Sequence, residues 1–237
     1  MKNSAPSTVY SRRLGGRAVW LLTLVTLAGC HFKTEEERDK EYFDHQVAAI
    51  REGNGDTLYF YDVNGTDALL QSISGMHGVK YVVVESMNDI TDAGIKEIAS
   101  LPDLKSLALY ELPITDHRLK LLQSSPQLEE LDLTPYAPFD FVIATVLALP
   151  HLRKLHLDIA VYPDDAGADD VELWVDSVLQ GLSKANSLQE LRLTGDIFVK
   201  RKKDLARLQQ ELPGCEIKLA KAQGKGDPPL IPLTDDE

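Results

Sequence analysis

The sequence predicts an α/β solenoid of about six to seven stacked coils, each giving one strand to a parallel concave sheet and one helix to a convex outer layer. Three observations predict it. The pattern Leu-x-x-Leu-x-Leu returns at Leu104/Leu107/Leu109, Leu128/Leu131/Leu133, Leu152/Leu155/Leu157 and Leu188/Leu191/Leu193, at steps of 24, 24 and 36 residues. The segments between return in the same register: Ile90-Thr91-Asp92 becomes Ile114-Thr115-Asp116, and Pro102, Pro126 and Pro150 follow at the 24-residue step. Apolar spacing also alternates, two along each leucine pattern and three to four after it, as at Ile95/Ile98/Leu101 and Ile143/Val146/Leu149. Those are the periods of a half-buried strand and of an amphipathic helix. One such unit cannot cover its own apolar side, whereas stacked units share a core. Strands stack about 4.8 Å apart and helices about 8–10 Å, so the strands take the inner side of the curve.

The elements follow in chain order. Residues 34–53 predict an amino-terminal capping helix: Thr34 with Glu37 three residues on is a capping-box pair, Phe43, Val47 and Ile50 share a face, and Gly53 stops it. The repeat domain is placed at 54–219. Its first strands are the weaker patterns Leu58/Tyr61/Val63 and Val79/Val82/Val84. The 36-residue step is 24 plus an insertion near 162–170, after which Val171, Trp174, Val175, Val178, Leu179 and Leu182 form a longer helical stripe. Lys200–Leu212 is the last helix, Pro213-Gly214 ends it, and Cys215–Leu219 is the closing strand. Residues 220–237, rich in Pro, Gly and charge, are expected to be a disordered tail.

Residues 1–29 predict an export signal. Arg12, Arg13 and Arg17 precede the ten-residue apolar stretch Ala18–Leu27, which is short of the roughly 20 residues that span a bilayer. It ends in Leu27-Ala28-Gly29-Cys30, which resembles the lipobox of bacterial lipoproteins at all four positions. The resemblance implies cleavage before Cys30, a diacylglycerol thioether on its sulfur and acylation of the new amino terminus, with residues 30–33 as lipidated cysteine and tether. Several acyl chains hold a protein on a membrane where one is marginal. His31, rather than Asp, after the cysteine favours the outer membrane over the inner, facing periplasm or exterior.

The repeats resemble the leucine-rich-repeat family, in its helix-bearing, ribonuclease-inhibitor-like type with a Thr-Asp turn before each helix, over about Thr57–Leu219. The resemblance implies a horseshoe that binds protein. This chain departs from the family in one respect. Where the family often places Asn, Cys or Thr three residues past the last leucine, it has Met87, Leu112, Tyr136, Ala160 and Asp196. The polar ladder that bonds successive turns must therefore be replaced.

Composition narrows the function. The chain of 237 residues carries 25 basic and 37 acidic residues, a net charge of −12, and loses only basic residues with its first 29. So acidic a body repels phosphate backbones, and nucleic acid is no expected partner. Two cysteines, Cys30 and Cys215, exclude a disulfide scaffold, and Cys215 is expected to be a buried thiol. Asp92, Asp116 and Asp140 read as helix caps rather than a metal ladder. The acidic insertion (Asp164, Asp165, Asp169, Asp170, Glu172) lacks the spacing of a calcium loop, and the histidines lack zinc spacing. No nucleophile elbow or phosphate loop is present, so neither enzyme activity, cofactor nor metal is expected. The basic run Lys200–Lys203 reads as a solvated helix start.

The remaining candidate is the concave face. Alternation places Phe60, Asp62, Tyr81, Val83, Ser106, Ala108, Glu130, Asp132, Lys154, His156, Glu190 and Arg192 there, with Tyr110, Thr134 and Asp158 at its rim. The expected function is a lipid-anchored, monomeric, non-enzymatic module that binds a protein or envelope polymer. An enzyme inhibitor, by fold analogy, and a metal-dependent hydrolase using the acidic insertion are the alternatives.

Overall fold

The computed structural model describes residues 34–61, 67–87, 90–135, 143–159 and 168–220. All lie in one compact unit that begins at Thr34. The export signal, Cys30 with its tether, Asp62, Asp140, residues 160–167 of the insertion and the tail from 221 fall outside the described residues.

The elements run α1 (Glu35–Arg51), β1 (Thr57–Tyr61), α2 (Asp67–Gln71), β2 (Tyr81–Glu85), α3 (Asp92–Ala99), β3 (Ser106–Leu112), α4 (Asp116–Leu121) with a 3₁₀ turn at Leu122–Ser124, β4 (Glu130–Pro135), α5 (Ile143–Leu147), β5 (Lys154–Asp158), α6 (Ala168–Leu182), β6 (Glu190–Thr194), α7 (Asp196–Lys200), α8 (Lys202–Glu211) and β7 (Glu216–Ala220). The seven strands form one parallel sheet in chain order, the topology of a leucine-rich-repeat-like solenoid. Ala220, expected to open the tail, closes β7.

The second and third leucines of each pattern stack strand on strand. Leu58, Val82, Leu107, Leu131, Leu155, Leu191 and Ile217 form one line, and Phe60, Val84, Leu109, Leu133, Leu157, Leu193 and Leu219 the next. Helix residues such as Leu70, Ile95, Leu119, Val146, Val175 and Phe198 complete one continuous core with them. Each fully buried side chain of this size contributes about 1.5–3 kcal/mol.

The register of β1 corrects the expected first pattern. Leu58 pairs with Val82 and Phe60 with Val84, so the coil reads Leu58/Phe60, not Leu58/Tyr61/Val63. Phe60 is therefore not on the concave face. It is 1% exposed, and its ring meets Phe43 of α1 at 5.6 Å between centroids. Alternation taken from Tyr61 and Val63 is out of step with Leu58 and Phe60 by an odd number of residues, and such a slip turns every side chain to the other face.

The amino-terminal end is closed. Thr34 and Glu37 make both bonds of the capping box. Phe43, Val47 and Ile50 are buried against the first coil. Gln46 accepts from the Tyr59 amide at 2.6 Å and donates to the Tyr59 carbonyl at 3.1 Å, satisfying the edge of β1 as a neighbouring strand would.

The caps also differ from expectation. Thr91 and Thr115 are the N-caps; their hydroxyls accept from the amides of Ala93 and Arg118, while Asp92 and Asp116 begin the helices. An N-cap must still be extended so that its side chain can turn back onto the first amides, a conformation held by the threonines. Two aspartates at helix starts, Asp67 and Asp92, link coils instead. Asp67 accepts from the amides of Thr91 (3.0 Å) and Gly94 (3.1 Å) and from the Thr91 hydroxyl. A Cβ on Gly94 would lie 2.6 Å from Asp67 Oδ1, so only glycine admits this approach. Arg118 bonds Asp92 (3.4 Å) and donates to the carbonyls of Pro113 and Ile90, each at 2.8 Å. Asp103 similarly accepts from Gly78 and meets His77 in the preceding coil. These charged bonds take over the missing polar ladder. In the basic run, Arg201 is tied to Glu172 and Asp176 of α6 as well as to Asp204.

Candidate functional site

Period-two alternation puts the remaining strand side chains in three rows on the face opposite the helices. The first row is Thr57, Tyr81, Ser106, Glu130, Lys154, Glu190 and Glu216. The second is Tyr59, Val83, Ala108, Asp132, His156, Arg192 and Lys218. In the third, Glu85 pairs with Tyr110, Tyr110 with Thr134, and Asp158 with Thr194. Thirteen sequence-predicted residues share this face: Tyr81, Val83, Ser106, Ala108, Tyr110, Glu130, Asp132, Thr134, Lys154, His156, Asp158, Glu190 and Arg192.

A hydrogen-bonded chain crosses four strands at the centre. The Tyr110 hydroxyl donates to Asp132 Oδ2 at 2.7 Å. His156 Nδ1 meets the same oxygen at 2.8 Å, and its Nε2 meets Thr194 Oγ1 at 2.8 Å. With Asp132 as acceptor, Nδ1 carries a proton, and in the tautomer that leaves Nε2 bare that nitrogen accepts from Thr194. A carboxylate, an imidazole and a hydroxyl in this order have the connectivity of an acyl-transfer triad. Thr194, however, is 3% exposed, so a substrate carbonyl has no approach to Oγ1. The chain of bonds orders four strands rather than presenting a nucleophile. Among the described residues no group of three or more His, Cys, Asp or Glu side chains could hold a metal ion, and no helix is long and apolar enough to cross a membrane.

Charge is distributed unevenly. Towards the amino-terminal side the acids are met by hydroxyl and imidazole groups: the Tyr59 hydroxyl bonds Glu85 at 2.6 Å, and Tyr110 and His156 bond Asp132. Towards the other end acids and bases meet directly. Glu190 lies 3.5 Å from Arg192 and 3.1 Å from Lys218, which also reaches Glu216 at 3.3 Å. Lys154 stands 3.9 Å from Glu130. Burial raises the carboxyl pKa of Glu130 above its ordinary value against the opposing pull of Lys154, with Asp132 and Glu190 adding to the rise. Burial also raises the phenol of Tyr110, and the neighbouring charge of Asp132 raises it further.

Asp158 is the least favourably placed acid. Burial raises its pKa, His156 opposes and Asp132 adds to the rise, and its Oδ1 is buried without a protein partner. A carboxyl with a raised folded-state pKa binds protons more tightly in the folded than in the unfolded chain. Its contribution is best below its unfolded value, ordinarily 3.8, and worsens as pH rises through the folded value. Asp158→Asn should therefore raise stability at neutral pH, with the gain shrinking as the solution is acidified. Urea unfolding across a pH series measures it, and a loss of stability at neutral pH would contradict it.

Tyr59, Thr194 and Lys218 also stand on this face, outside the set expected from the sequence. A signal for Tyr59 exists: 24 residues back from Val82 and Val84 are Leu58 and Phe60. Signals for the other two exist as well: Thr194 follows the last leucine of its repeat as Tyr110, Thr134 and Asp158 follow theirs, and Lys218 stands between Ile217 and Leu219.

Neither the protein-family models nor the curated proteins match the chain. Solved structures do, among them the tropomodulin C-terminal domain of Caenorhabditis elegans, at 13% identity and a TM-score of 0.36, over 71% of this chain and 92% of that one. A likeness that distant bears on neither partner nor activity.

Proposed function

We propose that this protein is a non-enzymatic binding module, held at the cell envelope by lipid on Cys30, that takes a protein or envelope polymer on the concave face of its solenoid. The observation that carries the reading is the side of the seven-stranded parallel sheet that no described helix covers, where aromatic and charged side chains stand in register while the described helices pack on the other side. Binding asks only for complementarity around a few anchors. Tyr81 is half-buried on that face among small neighbours, with Ser106 and Ala108 beside it. Such a ring offers contact area at little entropic cost. The acids around Asp132 suit a partner bearing basic or amide groups.

Crosslinking in cells followed by mass spectrometry of the captured partner tests the reading. Tyr81→Ala should weaken that complex by about 2 kcal/mol or more. A partner that ignores this change and crosslinks only to helices would refute concave-face binding. Intact mass tests the anchor: the mature chain should begin at an acylated Cys30.

A further inference from the structure

The two edges of the sheet are treated differently. At β1 the edge is covered by α1, and Gln46 occupies the main-chain groups of Tyr59. Beyond β7 no strand lies among the described residues. Leu219, in line with the buried Leu193 and Leu157, is 44% exposed, and Ile217 is only partly covered.

The hydrogen bonds of β7 show which of its groups face outward. The amide of Glu216 donates to Gln189, and the carbonyl of Ala220 accepts from Gly195. In a parallel pair, alternate residues bond the neighbour while those between aim both groups away. Glu216, Lys218 and Ala220 are thus turned to β6, and Ile217 and Leu219 present their N–H and C=O at the open edge. An unblocked edge of this kind is a template for another strand.

We propose that β7 is a self-association edge, on which a second copy of this chain pairs antiparallel about Ile217. Three registers within Glu216–Ala220 set outward groups against each other. Centred on Lys218, the pair bonds Ile217 to Leu219 but puts Lys218 against its own copy, like charges directly across. Centred on Leu219, Lys218 meets only Ala220. Centred on Ile217, that residue bonds its own copy while Leu219 faces Cys215, whose carbonyl Gln209 already holds at 2.9 Å. Glu216 then meets Lys218 of the second copy, twice by symmetry, and Ile217 meets Ile217 on the apolar side. Opposite charges across a strand pair stabilise it and like charges do not, so charge selects the register centred on Ile217. The contact is isologous, and because Gln46 blocks the other edge the assembly closes at two chains instead of running on as a fibre. The two concave faces then form one longer sheet. This inference does not depend on what the concave face binds.

Density-matched sedimentation equilibrium of the full chain in mild detergent tests it. The wild type should reach a species of twice the mass that the same preparation shows as a monomer. Lys218→Glu should weaken association roughly tenfold or more, since like charges then meet twice. The double exchange Glu216→Lys with Lys218→Glu should restore it. Ile217→Pro removes an outward amide without touching the bonds to β6, so it should leave a folded monomer with unchanged circular dichroism. A wild type that stays monomeric at every concentration would overturn the proposal. So would a dimer insensitive to both Lys218→Glu and Ile217→Pro. A monomer whose Ile217 and Leu219 amides are protected from exchange would overturn it too, by giving the edge to residues 221–237.

Discussion

Replacing Phe60 with alanine is expected to destabilise the solenoid by about 3–5 kcal/mol, the usual cost of deleting a buried phenyl ring. Its ring lies in line with Val84 and Leu109 and is packed against Phe43, so it joins the first coil to the capping helix. Removing it leaves a cavity where α1 meets the repeats, and a helix in a protein draws most of its stability from the packing of its apolar face. The loss should show as a lower urea midpoint and as faster amide exchange through α1, ahead of the later repeats. Solenoids are stabilised coil by coil, so the amino-terminal end can loosen before the rest. Tyr59→Ala, one residue earlier on the opposite face, should cost much less. If Phe60→Ala unfolded like the wild type while Tyr59→Ala did not, the pairing of Phe60 with Val84 would be wrong.

Asp132→Ala is expected to cost about 2 kcal/mol, because it strands two part-buried donors, the Tyr110 hydroxyl and His156 Nδ1, that share one carboxylate oxygen. Losing an unpartnered buried Oδ1 at the same time offsets part of that cost. The two donors make a specific prediction possible. In a Tyr110→Phe background one stranded donor is already gone, so the added cost of Asp132→Ala should be smaller than in the wild type. Strictly additive costs in denaturant unfolding would mean that the bond from Tyr110 to Asp132 contributes nothing in solution.

How the site is assembled explains which of its parts are legible in the sequence. Glu130, Asp132, Lys154, His156, Glu190 and Arg192 each sit between the leucines of a clear repeat, so alternation alone assigns their face. Phe60 sits in a coil where tyrosine, valine and phenylalanine blur the pattern, and counting from the wrong residue reverses its assignment. The bonds themselves are not legible. Asp132 meets Tyr110 and His156 because β3, β4 and β5 lie in register, and Thr194 joins across 38 residues of chain only when β6 stacks beside β5. Backbone detail adds to this. Glu111, with φ of 52°, holds an extra residue in β3 just after Tyr110, where the pairing shifts between Tyr110 and Leu112. It is steadied by the Ser86 hydroxyl, which donates to its carboxylate at 2.9 Å.

From the sequence alone come the repeat, its 24-residue period, the order of strand and helix within it, and the capping box of the first helix. All of these are short-range: apolar periodicity and cap chemistry act over a few residues and are written wherever those residues stand. Tertiary structure alone decided the register of the first strand, the aspartate links between coils, the four-strand polar chain and, among the described residues, the contrast between a blocked edge at β1 and an open one at β7. Each depends on which groups stacking brings within about 3 Å of one another, and a linear pattern carries no information at that distance between residues that stand one repeat or more apart in the chain.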